Sequence, residues 1–416
     1  MTRRILHICV ATGGVLAVTA NLASAGGFAL REQSAVLMGS AFAGAASGTA
    51  LSSSYWNPAA FGAAVSGLST ESSYTAIFAD TELSNAATTP GVSGSKSTDI
   101  DKIGLLSSSY GAYRINDQWV IGVAITSPFG LSTEADDRNW VGRYHGRAAE
   151  MQTVNVAPSL AYDVAPGVTI AAGLQLQYMK LKLWTAAPLL TNPQPPQTSV
   201  KLDDTVGVGF TAGILLRPSS GTSIGLGFRS KIDQSLEGNF NFPGGSGPAH
   251  ANLETPEMVT FSVAQQVAPR VRAMATLEWT NWSRLGTVVV DGVPGAHAGT
   301  SAALAAKWDD GWFISGGLEY DFTDSLTLRT GAAFEKSPIR DAGQRLSVLP
   351  DSDRVWMSLG ATYRYSETTS IDVSFAHVMF DDAHLTRDTL SGSGLILNAD
   401  VENRAEIVSV GVKTQW

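Results

Sequence analysis

"VSVGVKTQW", residues 408–416, closes the chain on a strict period of two. Val408, Val410, Val412, Thr414 and Trp416 fall on one face, and Ser409, Gly411, Lys413 and Gln415 on the other. Successive side chains of a β-strand point to opposite sides, so this stretch reads as one strand with an apolar face and a small or polar face. The alternation recurs upstream. Val168, Ile170, Ala172, Leu174, Leu176 and Tyr178 alternate with Thr169, Ala171, Gly173, Gln175 and Gln177. Ile224, Leu226 and Phe228 alternate with Gly225, Gly227 and Arg229, and Met357, Leu359, Ala361, Tyr363 and Tyr365 with Ser358, Gly360, Thr362 and Arg364. One face suits lipid, with aromatics near its ends; the other suits a polar interior.

The connections alternate in length. Short turns at 115–117, 165–167, 218–221, 268–270, 323–324 and 366–368 separate longer stretches at 81–100, 134–146, 185–200, 238–254, 285–302, 337–353 and 383–401. Six short and seven long connections imply an all-β fold, a transmembrane antiparallel β-barrel of about 14 strands with both ends on one side. Short turns then face the periplasm and long loops the outside. A soluble sandwich gives no reason for this alternation.

Composition agrees. The 416 residues are 16% charged, carry a net charge of -9, and contain no basic block, which excludes nucleic acid as a partner. Beyond residue 25 no run of 18 apolar residues indicates a membrane helix, whereas a barrel hides its apolar face at every second position. Arg3 and Arg4, an apolar run over 5–20, and Ala23-Ser24-Ala25 read as an export signal spanning 1–25. An anchoring helix would need a stop-transfer pattern, and none follows. Cys9 lies inside that signal, so disulfides, Cys-zinc sites and thiol catalysis are excluded from the mature chain.

Residues 26–62 break the repeat, being rich in Gly, Ala and Ser, and end in "YWNPAAFG", 55–62. Such a segment either hangs in the periplasm or folds back into the lumen, and its aromatics favour the lumen. Pro58 fixes its own backbone and pushes Asn57 towards an extended form, giving a rigid corner. The expected organisation is a signal at 1–25, a hatch at 26–62 and a barrel at 63–416.

Four stretches carry a resemblance. "GGFALREQSAVLMGSAFAGAASG" (26–48), "NPA" (57–59), "SPFGLSTEADDRNWVGRYHGRAAEMQTVNVAPSLAY" (127–162) and "LPDSDRVW" (349–356) are together similar to the outer-membrane long-chain fatty-acid transporter family, the FadL type, whose relatives include toluene and xylene channels. The resemblance implies an outer loop groove for a hydrophobic ligand, a tighter internal site, and a sideways exit at a kink in the third strand. Ser127, Pro128, Phe129 and Gly130 match the kink, and Asn57, Pro58 and Ala59 match the hatch corner, expected to pack beside it. The residues agree: Pro128 cannot donate a ladder hydrogen bond and Gly130 brings no side chain, so pairing breaks there. An ordinary bulge is the plain alternative.

A fatty acid needs an apolar cavity for its tail and a cation for its head. Arg229 and Lys231, two apart on an inward face, are the candidate pair for the carboxylate. Arg272, Arg329 and Arg364 are also inward by parity, and pairing with Glu278, Glu335 and Asp372 is the alternative for all these cations. Phe28, Phe240, Phe242, Leu189 and Leu190 are candidate contacts for the apolar part, against simple self-packing of the loops. Trp140, Arg143 and Tyr144 read as braces of the second outer loop. Lys180 and Lys182, on the lipid-facing row, are placed to meet lipopolysaccharide phosphates beside outer-membrane lipid. The C-terminal strand is the expected handle for the barrel assembly machinery.

No catalytic site is indicated. The five His beyond residue 25 form no metal pattern, no nucleophile, base and acid are grouped, and neither cofactor nor metal is implied. The function expected is passive outer-membrane transport of hydrophobic molecules, long-chain fatty acids first and aromatic hydrocarbons as the alternative. A general porin would need an open lumen, and an adhesion barrel would have no ligand groove.

Overall fold

The computed structural model describes residues 26–100, 102–186, 197–204, 206–291, 302–388 and 394–416. The expected export signal, and Leu189 and Leu190, lie outside the described residues. Among the described residues fourteen wall strands follow in order: β1 Gly67–Thr89, β2 Ile103–Arg114, β3 Trp119–Thr126, β4 Ala148–Ala165, β5 Val168–Ala186, β6 Gly207–Ser219 and β7 Thr222–Arg229. They continue as β8 Met258–Ala268, β9 Val271–Thr280, β10 Gly311–Asp321, β11 Leu326–Lys336, β12 Arg354–Arg364, β13 Thr369–Phe380 and β14 Ile396–Gln415. Each pairs antiparallel with its neighbours in sequence, and β14 returns to β1 from Ser69↔Gln415 to Thr89↔Ile396. Closing the sheet on itself pairs the β1 and β14 edges with each other, which a lipid environment demands.

The period-two reading sets which side chains face out. Leu174, Leu226, Leu359 and Val410 are exposed, while Thr169, Gln175, Gln177 and Ser409 are buried towards the lumen. The periplasmic turns are tight: at Pro166-Gly167 the glycine has φ +78, and a Cβ there would lie 2.4 Å from the Arg217 carbonyl oxygen. Trp119 and Tyr162, with ring centroids 4.4 Å apart, sit beside such turns as an aromatic belt requires.

Several stretches expected as loops are strand. β1 runs on to Thr89, β14 begins at Ile396, and Ile232–Phe242 and Gly245–Thr255 form a hairpin rising above β7 and β8. Pairing persists there because Leu236, Ala249, Ala251 and Leu253 find a shared apolar cluster above the lumen instead of water.

Residues 26–64 fill the lumen, as the hatch reading expects. They form a helical turn, Ala35–Met38, capped by the Ser34 hydroxyl, and 3-10 turns at Leu51–Tyr55 and Pro58–Ala63. Leu37, Met38, Phe42, Trp56 and Phe61 pack against Val120, Phe313, Trp356 and Ile407 of the wall in one buried cluster. The wall glycines make room for the hatch backbone: a Cβ on Gly225 would lie 1.8 Å from the Ala46 carbonyl oxygen, and one on Gly227 1.9 Å from that of Trp56.

Candidate functional site: a wall gap, a cleft and an outer apolar cluster

β3 stays in register with β4 as far as Thr126↔Asn155, and pairing resumes at Gly130↔Gln152. Four steps on one strand therefore oppose three on the other, leaving one extra residue. On its other side β3 meets β2 only between Ser109↔Ile125 and Arg114↔Val120. The β2 residues 103–108 pair with β1 alone, so the wall has a gap between them and 127–133. Its outer end is closed where the Glu134 amide donates to the Ile100 carbonyl at 3.1 Å.

The hatch supplies the missing strand. Gly130 N–H donates to the Phe28 carbonyl at 2.9 Å, Leu30 N–H donates to the Pro128 carbonyl at 2.8 Å, and Ala29 bridges Phe129. Leu30 packs on Leu106 across the gap. The expectation that Asn57-Pro58-Ala59 packs beside the break is corrected here. The Asn57 amide donates to the Ala46 and Ile214 carbonyls, its side-chain oxygen caps Ala59 N–H, and Gly213, Gly225 and Gly227 of β6 and β7 lie against it. The NPA corner fixes the hatch to that wall, and residues 28–33 meet the break.

Inside the gap a cleft runs along the hatch, lined by Arg31, Tyr55, Pro128, Phe129, Arg229 and Trp282 among others. Arg229 is buried. It donates to the Tyr55 carbonyl at 3.0 Å and to the Asn155 side chain at 3.4 Å, with its guanidinium 4.4 Å from the centre of the Tyr55 ring. Among the described residues no carboxylate lies within ion-pair distance of it. The expected convergence of Arg229 and Lys231 is not formed. β7 ends at Arg229, Ser230 bonds back to Phe210, and Lys231 turns out to Asp233 and Glu254, at 2.9 and 2.8 Å.

The other inward cations follow the pairing alternative in part. Arg272 and Arg329 share Glu319, and Arg329 lies 4.0 Å from Asp372. Glu278 and Glu335 are taken instead by Arg31 of the hatch, at 2.7 and 3.5 Å, with the Arg31 guanidinium 3.6 Å from the centre of the Phe313 ring. Next to it Glu32 is buried, and one of its carboxylate oxygens has no protein partner among the described residues. Burial pushes this carboxyl up to about 7, its own backbone amide and Arg31 and Arg354 opposing and Glu335 adding to the rise. The folded hatch thus holds the proton more tightly than an unfolded chain, so the contribution is complete below about pH 4 and is lost as pH rises through 7. Amide protection of residues 28–33 is expected to weaken as pH rises from about 4.5 to about 7 in hydrogen exchange corrected for intrinsic rates, and Glu32→Gln to remove that dependence.

Above the cleft the apolar residues gather. Phe28 packs edge-on to Trp282 at 4.7 Å and to Phe129 at 5.8 Å, and Trp308 lies 5.8 Å away. Leu181, Leu202, Leu236 and Leu253 continue this surface, with Phe240 against its rim. Phe240 and Phe242 stack on each other at 5.9 Å, so the self-packing alternative and the groove reading both describe them. Trp140 is fully buried and Arg143 donates to the Ser93, Asn139 and Trp140 carbonyls, tying the second outer loop to the first as a brace. Lys182 is taken by Glu150 at 2.6 Å.

This plugged barrel has relatives. Residues 16–416 match the family described as outer membrane protein transport protein (OMPP1/FadL/TodX). The chain belongs to this family. It is 29% identical over 397 residues to the 47 kDa outer membrane protein of Pasteurella multocida, covering 87% of this chain and 89% of that protein. It is 31% identical over 303 residues to a long-chain fatty acid transport protein of Escherichia coli, covering 64% of this chain and 67% of that one. A FadL homologue of Pseudomonas aeruginosa has the same fold, with a TM-score of 0.83 at 21% identity over 93% of this chain and 99% of its own. The toluene transporter TbuX of Ralstonia pickettii reaches 0.67 at 16% identity over 94% and 99%. The chain is therefore an outer-membrane protein of a family that transports hydrophobic compounds, and its exposed rows face lipid.

Sequence reading missed three residues of this transporter's interior: Arg31, Glu32 and Gln33. All three sit in "LREQS", 30–34, whose charges stand out in an otherwise neutral hatch. A charged pair inside a segment destined for a closed lumen must meet opposite charges on the wall, and that signal was available.

Proposed function

We propose that the chain carries long-chain fatty acids from the outer apolar cluster into the cleft beside Arg229 and out sideways through the gap at 127–130. The observation behind the head-group assignment is Arg229 itself: a buried guanidinium lining the cleft, held by a carbonyl and an amide but by no carboxylate among the described residues. A buried cation without an anion is costly, and a ligand carboxylate would supply the missing charge. Phe28, Phe129 and Trp282 then offer the tail a wall of aromatic edges. That same aromatic wall favours the second reading, uptake of aromatic hydrocarbons, which need no cation.

Uptake of labelled oleate and of toluene by cells lacking their own transporter separates the two. Arg229→Met is expected to lower oleate uptake by roughly ten- to a hundredfold, the worth of a charge-assisted hydrogen bond, and to leave toluene uptake unchanged. Saturable toluene uptake with no oleate uptake by the unmodified chain would move it to the hydrocarbon branch and make Arg229 a hatch-holding residue.

A further inference from the structure

Gln33 touches both lips of the wall gap. On the β3 side its carboxamide Nε2 donates to the Ser127 carbonyl at 2.7 Å, and its Oε1 accepts from Ser127 N–H at 3.3 Å. On the β2 side its backbone carbonyl accepts from the Ser108 hydroxyl at 2.7 Å and from the Tyr110 hydroxyl at 2.8 Å. Gln33, Ser108 and Tyr110 are all buried, so water does not compete for the bonds on the β2 side, while Ser127 is half-buried. A ladder would have joined the same two edges had β3 stayed regular, since Ser109↔Ile125 is the last pair before the gap.

We propose that Gln33 is the clasp of the gap, the residue whose two sets of bonds hold the β2 and β3 lips together through the hatch until ligand leaves. The proposal rests on the sideways route given above. Its geometry is a series linkage: Ser108 and Tyr110 to the Gln33 backbone, then the Gln33 side chain to Ser127. Breaking either link undoes the whole Gln33 bridge and leaves the lips joined through Leu30, by its N–H to Pro128 and its side chain on Leu106. Gln33→Ala cuts the Ser127 link and leaves the backbone carbonyl in place, while Ser108→Ala/Tyr110→Phe cuts the other link and leaves the side chain in place. A series clasp makes the two changes non-additive, whereas independent contributions to folding would add.

The experiment uses the full-length protein in lipid nanodiscs, reading amide exchange over 28–33 and 127–130 and the release rate of bound labelled oleate. Gln33→Ala is expected to speed both by about tenfold, Ser108→Ala/Tyr110→Phe by a similar factor, and the triple variant by no more than either. Exchange in the remaining strands should stay unchanged. Additive effects, or no change at 28–33, overturn the clasp. A Leu30→Cys/Leu106→Cys variant, made together with Cys9→Ser so that no other cysteine is present, tests the route separately. Oxidation should stop release and reductant restore it. If the oxidised protein releases oleate at the normal rate, the sideways route and the clasp both fall. If oxidation stops release and Gln33→Ala changes nothing, the clasp alone falls.

Discussion

Replacing Ser127-Pro128-Phe129-Gly130 by the three residues Val-Thr-Val is expected to cut ligand uptake at least about tenfold while leaving outer binding intact. The number of residues matters as much as their identity. Between Thr126↔Asn155 and Gly130↔Gln152 the β3 side carries one residue too many, so a four-for-four exchange would retain the bulge. Three residues put the new chain opposite Val154, Thr153 and Gln152. Parity then turns the first and third, both Val, to the lipid side occupied by exposed Val154, and the Thr to the lumen beside buried Thr153. The threonine in the place of Pro128 brings a backbone N–H where proline has none. The Thr153 hydroxyl, which accepts from Phe129 N–H at 3.0 Å, loses that partner and regains one across the pair. With the gap zipped against β2, the hatch residues Phe28 and Leu30 lose their bonds to Gly130 and Pro128, a cost of about 1 kcal/mol each. The checks are labelled-oleate uptake in cells, oleate binding to purified protein, and the heat-induced mobility shift of the barrel. Uptake at the original rate with a folded barrel would send the exit down through the lumen instead.

The fold was legible because a barrel writes its geometry at period two. Ser409 and Gly411 against Val408 and Val410 already separate lumen from lipid, and the burial of the first pair's face follows directly. The glycines of β7 were legible as strand residues, but their purpose was not: Gly225 and Gly227 are small because the hatch backbone at Ala46 and Trp56 presses on them, a contact between segments about 180 residues apart that no local pattern encodes. Lys231 failed for a related reason. Parity carries a side chain's direction only while the strand lasts, and one irregular residue at Ser230 turned it from lumen to surface. Arg229, one side of that irregularity, stayed where parity put it. The NPA corner misled in another way, because a rigid corner shows that the chain turns but not which wall it turns against.

The second large effect is expected at Arg31. Arg31→Met leaves buried Glu278 without a cation and Glu335 with Arg354 alone, at 3.7 Å, next to Glu32, which is also buried. Removing one partner of a buried ion pair typically costs about 3–5 kcal/mol, because the remaining charge keeps its desolvation penalty. Methionine fills much of the space over Phe313 but supplies no charge, so the loss is electrostatic more than steric. The cost falls on the element that can yield. The hatch core is tied down elsewhere, by Ala45 and Ala46 N–H donating to Thr276 and Ser262 and by Leu51 N–H donating to Glu71. The ties of residues 26–33, among them Gly27 N–H to Asp351 at 2.9 Å and the Leu30 N–H to Pro128, flank Arg31 on the same short segment, so the cost of losing Arg31 falls on them first. Amide protection of Leu30 and Gly130 should therefore fall by about a hundredfold or more in hydrogen exchange, with protection at residues 45–51 retained. Bound oleate should be lost from the cleft in parallel, since Arg31 also lines it. The companion variant Arg31→Met/Glu278→Gln/Glu335→Gln removes the stranded charges together with the cation. If orphaned charge drives the opening, that variant restores most of the protection. If protection stays low, the guanidinium stacked on Phe313 holds the segment by contact, and the carboxylates are secondary.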